Sequence, residues 1–150
     1  YVRDTQRSAL PHLASLMVEE RSEALAIDAA TRRNLELDTS LSGRPDATLI
    51  AQADSAVTAM GSRLLRRWLN RPLRDHATLR ARYHAIGELL HSRRYLEVRE
   101  PLATIGDIER ILARVALRSA RPRDLTQLRR ALGVLPALRA SLASAATSTS

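Results

Sequence analysis

"LIAQADSAVTAMGSRLLRRWLNRP", Leu49 to Pro72, decides the fold class. Its residues Leu49, Ala53, Val57, Met60, Leu64 and Trp68 recur three or four positions apart, the period that lines up side chains on one face of an α-helix. The spacing predicts one continuous helix ended by Pro72, with Leu64 and Trp68 as core anchors. Arg63, Arg66 and Arg67 fall on the outward side. Gly61 sits at the edge of the apolar face, where a missing side chain suits the close approach of a neighbouring helix.

The same period continues downstream. Asp75 is placed to cap a helix whose face runs Leu79, Tyr83, Ile86 and Leu90. Pro101 stands where a fresh helix can start, since a first helical residue needs no N–H donor. Gly106 and Asp107 form a stop and a start. The next helix carries Ile108, Ile111, Leu112 and Val115 on one side and Arg110, Arg114 and Arg118 on the other. Pro122 opens a last helix with the stripe Leu125, Leu128, Leu132 and Leu135, which Gly133 and Pro136 interrupt or kink. Residues 143–150, "ASAATSTS", read as a frayed end.

Upstream the pattern weakens. "TSLSGRPDAT" is a loop by its Ser, Gly and Pro content. In "IDAATRRNLEL", Asp28 can cap about two turns from Ala29 to Leu35. Ile27 and Leu35 are then anchors and Arg32 and Arg33 outward charges, with Arg32 in reach of Glu36 at i, i+4. Leu16 to Val18 and Ala24 to Ile27 read as short extended or β segments within residues 15–27, and Leu10-Pro11 as a helix stop. No internal repeat is present, so the fold class is mainly α, a single irregular multi-helix domain.

Composition narrows the chemistry. The chain has 150 residues with no Cys, no Phe and no Lys, so all 24 basic residues are Arg. Disulfides, thiolate nucleophiles and Cys-ligated metals are excluded, and so is a P-loop lysine. The formal net charge of +8 favours polyanionic partners, although the arginines form no contiguous block. His12, His76, His84 and His91 never fall at the i, i+4 spacing of a zinc-binding helix, and His84 with His91 reads as a surface pair. Glu19, Glu20, Glu23, Asp107, Glu109 and Asp124 lie beside arginines, which favours their ionised, ion-paired form. No catalytic, cofactor-binding or metal residues are expected. No stretch has the roughly 20 apolar residues of a membrane span and the N-terminus lacks a signal-peptide pattern; a cytoplasmic, nucleoid-associated setting is expected.

Four strings, "YVRDTQRSALPHL", "IDAATRRNLEL", "TAMGSRLLRRWLNRPLRD" and "GDIERILARVALRSARPRDL", together resemble the core, or lever, region of bacterial MutS mismatch-repair proteins. The resemblance implies residues 1–13 as the tail of the connector domain and residues 14–142 as the first part of the lever. It also implies that mismatch recognition and ATP hydrolysis lie elsewhere in the parent protein, whose Phe-x-Glu wedge and P-loop this chain cannot contain. ATP and Mg2+ would serve the parent, whose implied partners are mismatched double-stranded DNA, a second copy of the protein and the repair protein MutL. In that setting Arg32, Arg33, Arg66 and Arg67 are candidates for phosphate or inter-domain contacts. The expected core is Leu64, Trp68, Leu79, Tyr83, Ile86, Ile111, Leu112, Leu125 and Leu128. The alternative is an independent Arg-rich helical module that binds nucleic acid directly.

Overall fold

The structure, a computed structural model, describes residues 24–143. Among these residues seven α-helices follow one another: α1 (Ala29–Asn34), α2 (Leu49–Ala53), α3 (Ala59–Asn70), α4 (His76–His91), α5 (Tyr95–Ala103), α6 (Ile108–Ala116) and α7 (Pro122–Ala143). A 3-10 turn, Pro45–Ala47, precedes α2. There is no sheet among the described residues. Ala24 forms an isolated antiparallel bridge with Leu73, and the Leu25 N–H donates to the Pro72 carbonyl at 2.8 Å, so the predicted extended segment at 24–27 has a backbone partner. The connector tail at 1–13, the helix stop at Leu10-Pro11, the segment Leu16 to Val18, His12, Glu19, Glu20, Glu23 and residues 144–150 lie outside the described residues.

Side-chain oxygens set the helix starts. Asp28, Thr48, Thr58, Asp75 and Asp107 each accept from an N–H of the first turn that follows, satisfying a donor the helix itself cannot. One of these caps, Thr58, overturns an expectation. Leu49 to Trp68 is two helices, broken between Ala53 and Ala59. Asp54 Oδ1 accepts from the Ala56 N–H at 3.0 Å and the Ser62 hydroxyl at 3.1 Å, and Thr58 restarts the chain in a new direction. Short polar side chains offered the backbone an alternative to the helical ladder, and they outweighed the apolar period. A Cβ on Gly61 would stand 3.0 Å from Thr58 Oγ1 and 3.2 Å from Ala56 Cβ, so the close neighbour is this turn and not another helix.

One proline sits differently from expectation, and a second does not interrupt its helix. Pro101 lies inside α5, not at its start; the helix begins at Tyr95, and Pro101 removes one donor only two residues before the end. Likewise α7 runs through Gly133 and Pro136 to Ala143.

The core forms where α5 and α7 meet. Ile105, Ala131 and Leu138 are buried there, with Met60, Val98, Leu102, Ile108 and Val134 packed against them. Ile111 on α6 is the most enclosed large side chain, at 1% exposure, and Leu37 with Ile50 closes the joint between α1 and α2. Several expected core residues are instead exposed: Leu64, Trp68, Tyr83, Ile86, Leu112 and Leu125, together with Leu35, Leu90, Val115, Leu132 and Leu135. Leu79 and Leu128 are half-buried. The cause is rotation of the packed faces. On α4 the inward positions are Leu79, Arg82 and Leu89, and on α7 they are Asp124, Leu128, Ala131, Val134 and Leu138. Both sets keep the helical period but sit to one side of the leucine stripe.

Candidate functional site

Three arginine clasps tie distant parts of the chain together. α1, capped by Asp28, turns two short rounds and presents Arg32 and Arg33 from its last turn. Arg32 donates to Asn70 at the end of α3, through the Asn70 side-chain oxygen and its carbonyl, the latter at 3.4 Å. It does not reach Glu36, because the helix has ended: Glu36 adopts φ 47° and its carboxylate accepts from the Ser40 hydroxyl and the Leu41 N–H. Arg66 donates to Asp38 at 3.1 Å, a second tie between the α1 joint and α3. Arg32, Arg33, Asp38, Thr39, Ser40 and Leu41 border an open cleft beside this joint.

The strongest clasp was not foreseen. Arg63, expected to face outward, is half-buried and reaches from α3 to the start of α6. Its guanidinium donates to both Asp107 oxygens, at 2.8 and 2.7 Å, and to Glu109 Oε2 at 2.7 and 3.2 Å. The forked donors match a carboxylate in a way a point charge cannot. Arg63 beside it, and the Arg110 N–H at the helix start, hold the Asp107 carboxyl down to about 2, while the carboxylates raise Arg63. A 44-residue separation leaves no local signal of this pairing, although the acids were legible as ion-paired.

The third clasp closes α6 on α7. Arg114 Nε and Nη2 donate to Asp124 at 3.1 and 2.8 Å, and Asp124 also accepts from the Arg121 N–H at 2.9 Å. Asp124 is buried, and these donors lower its pKa with Arg114 the first cause. Arg114 therefore does not belong to a purely solvated face.

Trp68 has a role that periodicity missed: at 38% exposure it carries the Arg82 guanidinium 4.0 Å from its ring centroid. Arg33 and Arg67 are exposed, with no side-chain hydrogen bond or ion pair among the described residues. Thus Arg32 and Arg66 are drawn into contacts within the chain, and Arg33 and Arg67 are left at the surface. His84 approaches Glu88 at 3.9 Å on the surface of α4. No group of three or more acidic or His side chains is placed to hold a metal among the described residues. No helix among them is long and apolar enough to cross a membrane.

The arrangement holds helices in place. Compared with known families, residues 30–150 match the model of MutS domain III. The match covers most of the chain, includes all seven described helices but for the first residue of α1, and agrees with a helical body lacking a sheet; the chain belongs to the MutS family of mismatch-repair proteins, within its domain III.

Proposed function

We propose that this chain is a helical lever, coupling the DNA-holding clamp and mismatch-binding domain of a MutS protein to its ATPase. Domain III is a non-catalytic helical part of these proteins, so the chemistry belongs to other domains. On this reading residues 1–13 continue from the connector domain. The whole protein takes mismatched double-stranded DNA, a second copy of itself, ATP with Mg2+ and the downstream protein MutL as partners, in a cytoplasmic, nucleoid-associated setting.

The observation that supports the reading most directly is the set of clasps. A lever must move as a body, and a bidentate arginine–carboxylate contact resists both sliding and rotation of the helices it joins. Arg63 to Asp107 and Glu109 joins α3 to α6, Arg114 to Asp124 joins α6 to α7, and Arg32 to Asn70 joins α1 to α3.

The test uses full-length protein carrying Arg63→Ala. Mismatch affinity without nucleotide is expected to stay within about threefold, while ATP-triggered release from the mismatch slows by about tenfold or more, the scale of a typical coupling. Unchanged release would overturn the lever. Binding of a perfectly paired duplex by this chain alone, tighter than about 1 μM at physiological salt, together with unchanged release in the Arg63→Ala protein, would favour the independent nucleic-acid module. ATP turnover by the chain alone would defeat both readings.

A further inference from the structure

From Arg110 to the C-terminus the chain has eight arginines and one carboxylate, Asp124, so this last part holds seven of the eight net positive charges. The single acid there is consumed: Asp124 is buried under Arg114 and the Arg121 N–H. Of the nearby acids, Asp107 pairs with Arg110 at 3.4 Å as well as with Arg63, and Glu109 pairs with Arg63, so Arg110 is compensated and the arginines beyond Arg114 are not. Such asymmetry within one chain is a signature of a polyanion contact.

The fold sets Arg118, Arg121 and Arg123 at the α6–α7 turn, with Arg129 and Arg130 about two turns further along α7. Arg118 ends α6 in the left-handed region, φ 54°, with its N–H on the Val115 carbonyl at 3.0 Å and the Ser119 N–H on the Arg114 carbonyl at 2.8 Å. The turn is fixed from the other side by the Asp124 clasp. Arg118, Arg121, Arg123, Arg129 and Arg130 are all exposed, and none makes a side-chain hydrogen bond or ion pair among the described residues. Arg123 and Arg130 are seven residues apart on one face of α7, about 10 Å along its axis. A nucleic-acid duplex presents about six phosphates over that length. The buried seam of α7 lies beside this face, and the exposed leucines Leu125 and Leu132 lie on the opposite flank. Arg123 and Arg130 thus have a flank to themselves beside a turn already held in shape, while Arg129 lies roughly 100° round the helix, toward the leucines.

We propose that the α6–α7 turn and the Arg123/Arg130 flank of α7 form a binding surface for the phosphate backbone of a nucleic-acid duplex, without base readout. Arginine presents forked donors that suit phosphate oxygens, and backbone contacts position a duplex without reading its sequence. The contact is separate from the coupling role and does not rest on it.

The experiment titrates the full 150-residue chain against a fluorescently labelled, perfectly paired duplex of about 30 base pairs, from low to physiological salt. The triple variant Arg121→Gln, Arg123→Gln, Arg130→Gln is compared with Arg74→Gln, Arg80→Gln, Arg93→Gln, which removes the same charge from exposed arginines elsewhere. A second patch variant, Arg118→Gln with Arg123→Gln, guards against a folding defect in the first, and far-ultraviolet circular dichroism checks all three. The patch triple is expected to weaken low-salt binding by about tenfold or more and to reduce the salt slope by roughly two to three, while the control stays within about threefold. Equal losses in patch and control variants would reduce the effect to net charge and overturn the proposal. So would absence of binding at low salt. Equal competition by polyglutamate of matched charge would assign the surface to an acidic polypeptide instead, and a mismatch preference would contradict a backbone-only contact.

Discussion

Asp107 serves two structures with one carboxylate, as the cap of α6 and as the receiver of Arg63 from α3. Replacing it separates the two. Asp107→Ala removes both and is expected to lower stability by about 1 to 3 kcal/mol, read from a urea midpoint. Asp107→Asn should lose less, since Asn caps nearly as well. Its pH profile is the sharper test. The folded carboxyl is held down to about 2 from an ordinary 3.8, so the folded state favours the ionised form. The stabilisation is present above the ordinary value and is lost as the pH falls through about 2. Between about pH 4 and pH 2 the stability of Asp107→Asn should therefore fall less steeply than that of the parent chain. A parallel fall in the two proteins would show that the clasp is not formed in solution. Asp107 was legible as a cap because capping is local. Its partner was not, because nothing near residue 107 points to residue 63.

At the scale of the helix, α7 divides into three flanks. One packs on α5 and α6 through Leu128, Ala131, Val134 and Leu138, one carries Arg123 and Arg130, and one exposes Leu125, Leu132 and Pro136. Hydrophobic periodicity found the helix and its start at Pro122, but of the stripe Leu125, Leu128, Leu132 and Leu135 only Leu128 turns toward the seam. Leucine dominates a hydropathy pattern, whereas the most enclosed residue of this seam is an alanine, Ala131 at 1% exposure. Ala131→Leu is expected to cost about 1 to 3 kcal/mol by overpacking, and Leu132→Ala less than about 1 kcal/mol beyond its helix propensity. The reverse order in thermal melts would restore the leucine stripe as the core face. Trp68→Ala on α3 should likewise cost less than the roughly 3 to 5 kcal/mol typical of a buried tryptophan, because its ring is partly open and shared with Arg82.

Over the whole molecule, the buried apolar set is small for the number of leucines the chain carries. Leu112, Leu117, Leu125, Leu132, Leu135 and Leu142 remain exposed on or beside α6 and α7, alongside the basic end. Exposed apolar area on this scale favours association. The isolated chain is expected to self-associate as its concentration rises, and Leu125→Ser with Leu132→Ser to shift it toward monomer in sedimentation experiments. Monomer at all concentrations in the unsubstituted chain would show that the apolar flank is quiet.

What was legible from sequence alone were the properties set by near neighbours. They include the mainly helical class, the starts at Asp28, Asp75, Asp107 and Pro122, the family resemblance, and the ionised state of Asp107 and Asp124 beside arginines. These follow from a 3.6-residue period, from caps that act within one turn, and from composition. The tertiary structure decided which side of each helix is inside, where Leu49 to Trp68 breaks, and which arginines are spent on clasps and which are left on a common flank. An amphipathic period defines a face only to within a residue or two, and an arginine carries the same charge whether paired or free. Its partner, 44 residues away or on the next helix, is chosen only when the helices dock.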